Sequence, residues 1–154
     1  MTLRRAVAYL SALAVAGGMV FHLSGRDADI RPASTPAQAT VSGSKIVAYY
    51  FHVNVRCTTC RTIEDWSRKT LQKRFANELG SGKIEWKLVN VQQAENKHFI
   101  KDYQLFTRSL VLVRFGGGQQ REYKVLNDTW QLVDDQPAFE KYVEREVRGF
   151  LAKL

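Results

Sequence analysis

The chain has 154 residues, 45% hydrophobic and 11% aromatic, and its 23 Lys and Arg against 15 Asp and Glu give a formal net charge of +8. Its basic residues are scattered without an interleaved aromatic platform, which excludes nucleic acid as the leading partner, and no flavin, nicotinamide or haem fingerprint is present, so no cofactor is expected. Two cysteines and, outside the N-terminal segment, only His52 and His98 leave no ligand to spare for a four-ligand structural zinc.

The chain begins with Arg4-Arg5 ahead of Ala6–Leu23, eighteen residues without a charge. Such a run is a membrane-targeting segment. At 1.5 Å per residue it spans about 27 Å, so length alone does not separate a signal peptide from an anchor. Small-residue pairs at Ala12/Ala14 and Ala14/Ala16 fall inside the run, and Ala37-Gln38-Ala39 falls well beyond it. No well-placed cleavage site results, which favours an uncleaved anchor over residues 1–24. The two arginines should stay cytoplasmic, placing the rest at the outer face of a bacterial inner membrane, in the periplasm or exterior. Residues 25–44, rich in Ala, Ser, Thr and Pro without a hydrophobic period, read as a flexible linker. Residues 45–154 suit one domain with a single core.

Lys45–Phe51 is apolar, β-branched and aromatic, as in a strand buried on both faces. Then comes His52-Val-Asn-Val-Arg56-Cys57-Thr-Thr-Cys60-Arg61. Two cysteines placed at random would fall three apart in only about one chain in a hundred, so the spacing carries meaning. Beyond it Ile63, Trp66, Leu71, Phe75 and Leu79 recur like one stripe of a single helix. Cys57 would start that helix, where free N–H groups and the dipole favour a thiolate and lower the thiol pKa, and Arg56 and Arg61 push the same way. Cys60, one turn on, is placed to resolve a mixed disulfide on Cys57. His52 is a further candidate to tune the pair, although a strand-end histidine is more often satisfied by neighbouring groups. A metal site and a pair of inert thiols are the alternatives.

Gly80-Ser-Gly82 is a stop, Ile84–Val91 a second strand, and Ala94–Tyr103 a second helix. Thr107–Phe115 is a third strand, turned by Gly116–Gly118 into a fourth at Gln120–Leu126. Gly116–Gly118 has no helix or lysine after it to make a phosphate cradle. A bridge around Trp130 leads to a last helix, Pro137–Lys153, with Asp134-Asp135 at its positive start. The order calls for an α/β domain with a central mixed four-stranded sheet and helices on both faces.

That order, with Cys57-Thr-Thr-Cys60 after the first strand, resembles the thioredoxin fold across 45–154. The blocks Tyr49-Tyr-Phe-His52, Arg56-Cys-Thr-Thr-Cys-Arg-Thr-Ile-Glu64, Trp86-Lys-Leu-Val-Asn-Val91, Glu95-Asn-Lys-His-Phe99 and Lys101-Asp-Tyr-Gln-Leu105 look like the ArsF family. Its members are small bacterial thioredoxin-like proteins labelled as a nitrophenyl-compound nitroreductase subunit. The resemblance implies a membrane-tethered thioredoxin-like module acting beside a membrane electron-transfer or transport protein and exchanging with protein disulfides. Three positions depart from ordinary thioredoxins. Arg56 stands where they have Trp, Phe51 where they keep a buried acid, and Ser109 where they have a cis-proline. A cis bond before a non-proline costs about 3–4 kcal/mol, so Arg108–Ser109 is expected to be trans and these two residues to reshape the groove beside the cysteines. Loss of that proline also raises a dimer-bridging iron–sulfur or metal reading.

The leading function is a thiol–disulfide oxidoreductase, reductive or electron-relaying. The alternative is a non-catalytic adaptor that docks a membrane complex. From Lys45 onward 19 Lys and Arg face 13 Asp and Glu, a net of +6, which reads first as a solvated surface beside an anionic membrane and second as attraction to acidic partners.

Overall fold

Eight consecutive residues, Lys45–His52, form β1, and six of them in a row are buried. A strand covered on both faces has no polar side to alternate with, which is why its sequence is apolar almost throughout. The computed structural model describes residues 43–154. The expected membrane segment at 6–23 and most of the linker lie outside the described residues. Among the described residues no helix is long and apolar enough to cross a membrane.

Helix α1 runs Thr58–Arg74 and buries Cys60, Ile63, Ser67, Thr70 and Leu71, the three-and-four spacing of one helical face. Two hydroxyls are tolerated on that face because Ser67 donates to the Ile63 carbonyl at 2.6 Å and Thr70 to the Trp66 carbonyl at 2.7 Å. The expected single helix through Leu79 is corrected: it breaks at Phe75, whose φ of −136° and ψ of 35° are not helical, and resumes as the short α2, Ala76–Gly80. Phe75 is 1% exposed, so the apolar stripe continues across a break that it conceals.

Strand β2, Ile84–Asn90, lies parallel to β1. The expected helix at 94–103 is a 3₁₀ turn, Ala94–Asn96, followed by the five-residue α3, His98–Asp102. The Asn96 side chain donates to the Asn90 carbonyl and to Gln93 Oε1, both at 3.0 Å. This draws the first turn back onto the end of β2. Strands β3, Ser109–Gly116, and β4, Gln119–Val125, are joined through Gly117 and Gly118, with φ of 61° and 76°. Both central positions of a tight hairpin with the right twist need the left-handed region, and glycine reaches it without strain. A 3₁₀ turn, Asn127–Trp130, precedes α4, Gln136–Leu151, whose N-cap Asp135 accepts from the Ala138 N–H at 3.0 Å.

The sheet order is β2-β1-β3-β4, with β1 parallel to β2 and antiparallel to β3, and β3 antiparallel to β4. Helices α1 and α4 cover Ile46, Ala48, Tyr50, Leu110 and Leu112 on one face. The other face carries Val47, Tyr49, Phe51, Val111 and Val113, packed with Phe99 and Tyr103 from the α3 region. This is the thioredoxin-like α/β arrangement that the element order called for.

Candidate active site

The chain leaves β1 at His52, turns through residues 53–56 and enters α1 with Cys57 as N-cap. Cys57 and Cys60 are joined in a disulfide, their Cα atoms 5.1 Å apart, and Cys57 Sγ accepts from the Cys60 N–H at 3.1 Å. Sulfur thus occupies the place where a capping oxygen usually satisfies a free N–H. Cys57 is exposed, whereas Cys60 is 0% exposed. Only the first sulfur is open to a partner, and an N–H is already aimed at it. A thiolate formed there meets a donor and the positive end of α1.

Four polar contacts hold this corner from below, and of the residues that supply their distant ends the sequence pointed only to Arg108 as a site residue. Tyr50, 0% exposed, donates to the Cys60 carbonyl at 2.6 Å. Burial pushes its phenol up to about 12, against the opposing pull of Arg56 and Arg108. Arg56 pairs with Glu64, one turn further along α1 than Cys60, and both side chains are largely covered. Arg108 donates from Nη2 to the Val55 carbonyl at 3.3 Å, and its own carbonyl accepts from Trp130 Nε1 at 2.9 Å. Of the others, Tyr50 alone left a signal: it shares the β1 face of Ile46 and Ala48, which packs on α1, and is the last β1 residue of that buried cluster.

The remaining predicted residues divide. Arg61 is exposed, with its N–H donating to the Cys57 carbonyl at 3.1 Å. His52 Nδ1 lies 3.0 Å from the Val53 carbonyl, the local satisfaction expected of it. Ser109 opens β3 opposite Phe51, is 4% exposed, and donates to the Thr107 carbonyl at 3.0 Å. Phe51 fills the position of the missing acid with an aromatic ring, 5.1 Å from Phe99 and 5.6 Å from Tyr103 between centroids. The expectation for Arg56 needs correction: it is not a free cation beside Cys57, because Glu64 shares its charge.

Between the end of β1 and the segment before β3 lies a cleft of about 330 Å³, lined by Phe51, His52, Val91, Ile100, Leu105 and Arg108 among others and by neither cysteine. Its rim exposes Phe106 by 98%, and Val55 on the cysteine loop is exposed by 79%. Large apolar side chains held out in water suit contact with another protein. Among the described residues no group of three or more His, Cys, Asp and Glu lies close enough to hold a metal ion.

Among solved structures the chain is similar to Malassezia sympodialis thioredoxin, at 20% identity over 64% of this chain and 80% of that one, with a TM-score of 0.38. It is also similar to Fasciola hepatica thioredoxin (18%, covering 66% and 84%, TM-score 0.37) and to oxidised thioredoxin O2 from Arabidopsis thaliana (17%, covering 62% and 76%, TM-score 0.37). No protein-family model and no curated protein matches the chain. The thioredoxin-like assignment rests on the strand order, the connections and the disulfide at the head of α1.

Proposed function

We propose that this protein is a thiol–disulfide oxidoreductase or electron relay that works on protein disulfides through Cys57 and Cys60. The observation that carries the reading is the asymmetry of the pair: one sulfur exposed at a helix N-terminus with an N–H at 3.1 Å, the other fully buried one turn in.

The chemistry follows from that asymmetry. A dithiol donor attacks the exposed Cys57 sulfur; the Cys57–Cys60 bond breaks, and Cys60 leaves as a thiolate and is protonated. The donor's second thiol displaces Cys57 and closes the donor disulfide, so two electrons and two protons enter the pair. In the forward step the Cys57 thiolate attacks a substrate disulfide, whose first sulfur leaves and takes a proton. Cys60 then loses its proton and attacks Cys57, the second substrate sulfur departs, and the intramolecular disulfide returns. Titration against glutathione redox buffers, with free thiols trapped by alkylation, should give a single two-electron transition. Thiols that stay silent across all buffers would leave the adaptor reading instead.

The finer reading is that of an ArsF-like module held by residues 6–23 at the outer face of a bacterial inner membrane, serving a membrane electron-transfer or transport protein. Its support is the charge-free run behind Arg4-Arg5 and the motif blocks shared with that family. Protease added to spheroplasts should digest the domain, and full protection would refute this topology.

A further inference from the structure

We propose that Tyr50 is a positioning residue for the cysteine pair: by donating to the Cys60 carbonyl it pins the first turn of α1 to β1 and keeps the Cys60 N–H aimed at the Cys57 sulfur once the disulfide has opened. This rests on the thiol–disulfide reading above and assigns a part of its machinery.

The contact is short, at 2.6 Å, and buried. The phenol also keeps its proton through any physiological pH, because burial pushes its pKa up to about 12. The carbonyl it binds belongs to the peptide whose N–H, that of Arg61, donates to the Cys57 carbonyl at 3.1 Å. A donor on the oxygen of an amide strengthens the N–H at its other end. One buried hydroxyl therefore supports the backbone of both cysteines. In the oxidised protein the covalent bond alone would fix the sulfur against the N–H. After reduction that restraint is gone, and a helix terminus otherwise frays. The tie to a central strand is what remains.

The ring itself is held independently, stacked near Trp86 with centroids 6.4 Å apart, so Tyr50→Phe removes the donor and keeps the packing. It also leaves the Cys60 carbonyl within its helix and creates no buried unpaired donor. The charged and titratable groups around the pair are His52 at the end of β1, Arg56 and Arg61 beside the cysteines, Glu64 on α1, and Arg108 before β3. None of them is altered.

The test follows thiolate ultraviolet absorbance against pH in the reduced full chain, together with the equilibrium against glutathione. In Tyr50→Phe the Cys57 titration should move to higher pH, with about threefold less thiolate below the midpoint. The glutathione equilibrium should shift about threefold toward the disulfide, which is about 14 mV at about 30 mV per tenfold. A role in packing alone would lower thermal stability and move neither quantity, and that result overturns the proposal. A second measurement needs no variant: amide exchange at Cys60 and Arg61 in the wild type should remain as protected after reduction as before, and loss of protection overturns the proposal too. If the wild type itself fails to equilibrate with glutathione, the thiol–disulfide reading has failed, and the proposal falls with it.

Discussion

Cys57→Ser should abolish disulfide exchange, a loss of at least about a hundredfold, because it removes the one nucleophile a partner can reach. Cys60→Ser should act differently. Its Cys57 thiolate still attacks a partner disulfide, but no second sulfur follows, and the chain has no third cysteine to take its place. The mixed disulfide should accumulate as a covalent adduct on non-reducing gels. The burial of Cys60 makes the assignment one-sided, since a sulfur closed to solvent resolves an adduct on its neighbour far more readily than it starts one. Adducts on Cys57→Ser and none on Cys60→Ser would reverse the roles. If neither variant forms adducts while activity persists, the redox reading fails.

The pH profile of exchange should invert when the Arg56–Glu64 pair is cut. Arg56→Ala removes the cation next to Cys57 in sequence and leaves the largely covered Glu64 carboxylate without its partner. Both changes disfavour a thiolate, and the Cys57 pKa should rise by about one unit, a modest value for an exposed sulfur. At a pH below both midpoints the thiolate fraction falls tenfold, while the more basic sulfur is intrinsically more nucleophilic. The net loss in rate is therefore about threefold. Above both midpoints each protein is fully thiolate and only nucleophilicity differs, so Arg56→Ala should be about threefold faster there and the two profiles should cross. Glu64→Gln should do the reverse, since it frees the guanidinium beside Cys57. The double substitution should return close to the wild-type profile if the pair acts as one unit. Parallel profiles that never cross would mean that Arg56 acts through loop structure rather than through charge.

Most of the fold could be read from spacing, because the features that specify it are local. An apolar run with no polar alternation announced β1, and three glycines in a row announced the hairpin into β4. The first helix was legible through Arg74, but its end was not: Leu71, Phe75 and Leu79 keep helical spacing through a break that no Gly or Pro marks. The cysteine pair and its place at a helix start were legible from the spacing, and the exposure of Cys57 and burial of Cys60 follow from that start. The supports beneath the pair were not. Glu64 reads as an ordinary polar position of α1, and its pairing with Arg56 depends on how residues 53–56 fold back. Tyr50 reads as one more apolar strand residue, and its hydroxyl acquires a partner only when α1 docks on β1. Trp130 reaches the site from 22 residues beyond Arg108, a distance that periodicity cannot bridge.

The outermost strands bear on what this domain can adhere to. An unpaired strand at the margin of a sheet offers a row of free amides and carbonyls, and another chain can add to it. Here β4 presents Arg121, Glu122 and Lys124 around Tyr123, with Glu122 tied to Lys153 and Lys124 to Glu146. On the far margin, β2 carries Glu85 bound to Lys45 at 2.9 Å and to Lys87 at 3.0 Å. A strand adding at either side would have to dehydrate these charges, which is how natural sheets resist growing into aggregates. Among the described residues Phe106 and Val55 are the barest large apolar side chains, whereas Leu88 on β2 and Tyr123 on β4 are less exposed and sit among these charges, so the sheet margins resist growth while the loop before Cys57 stays open to encounter.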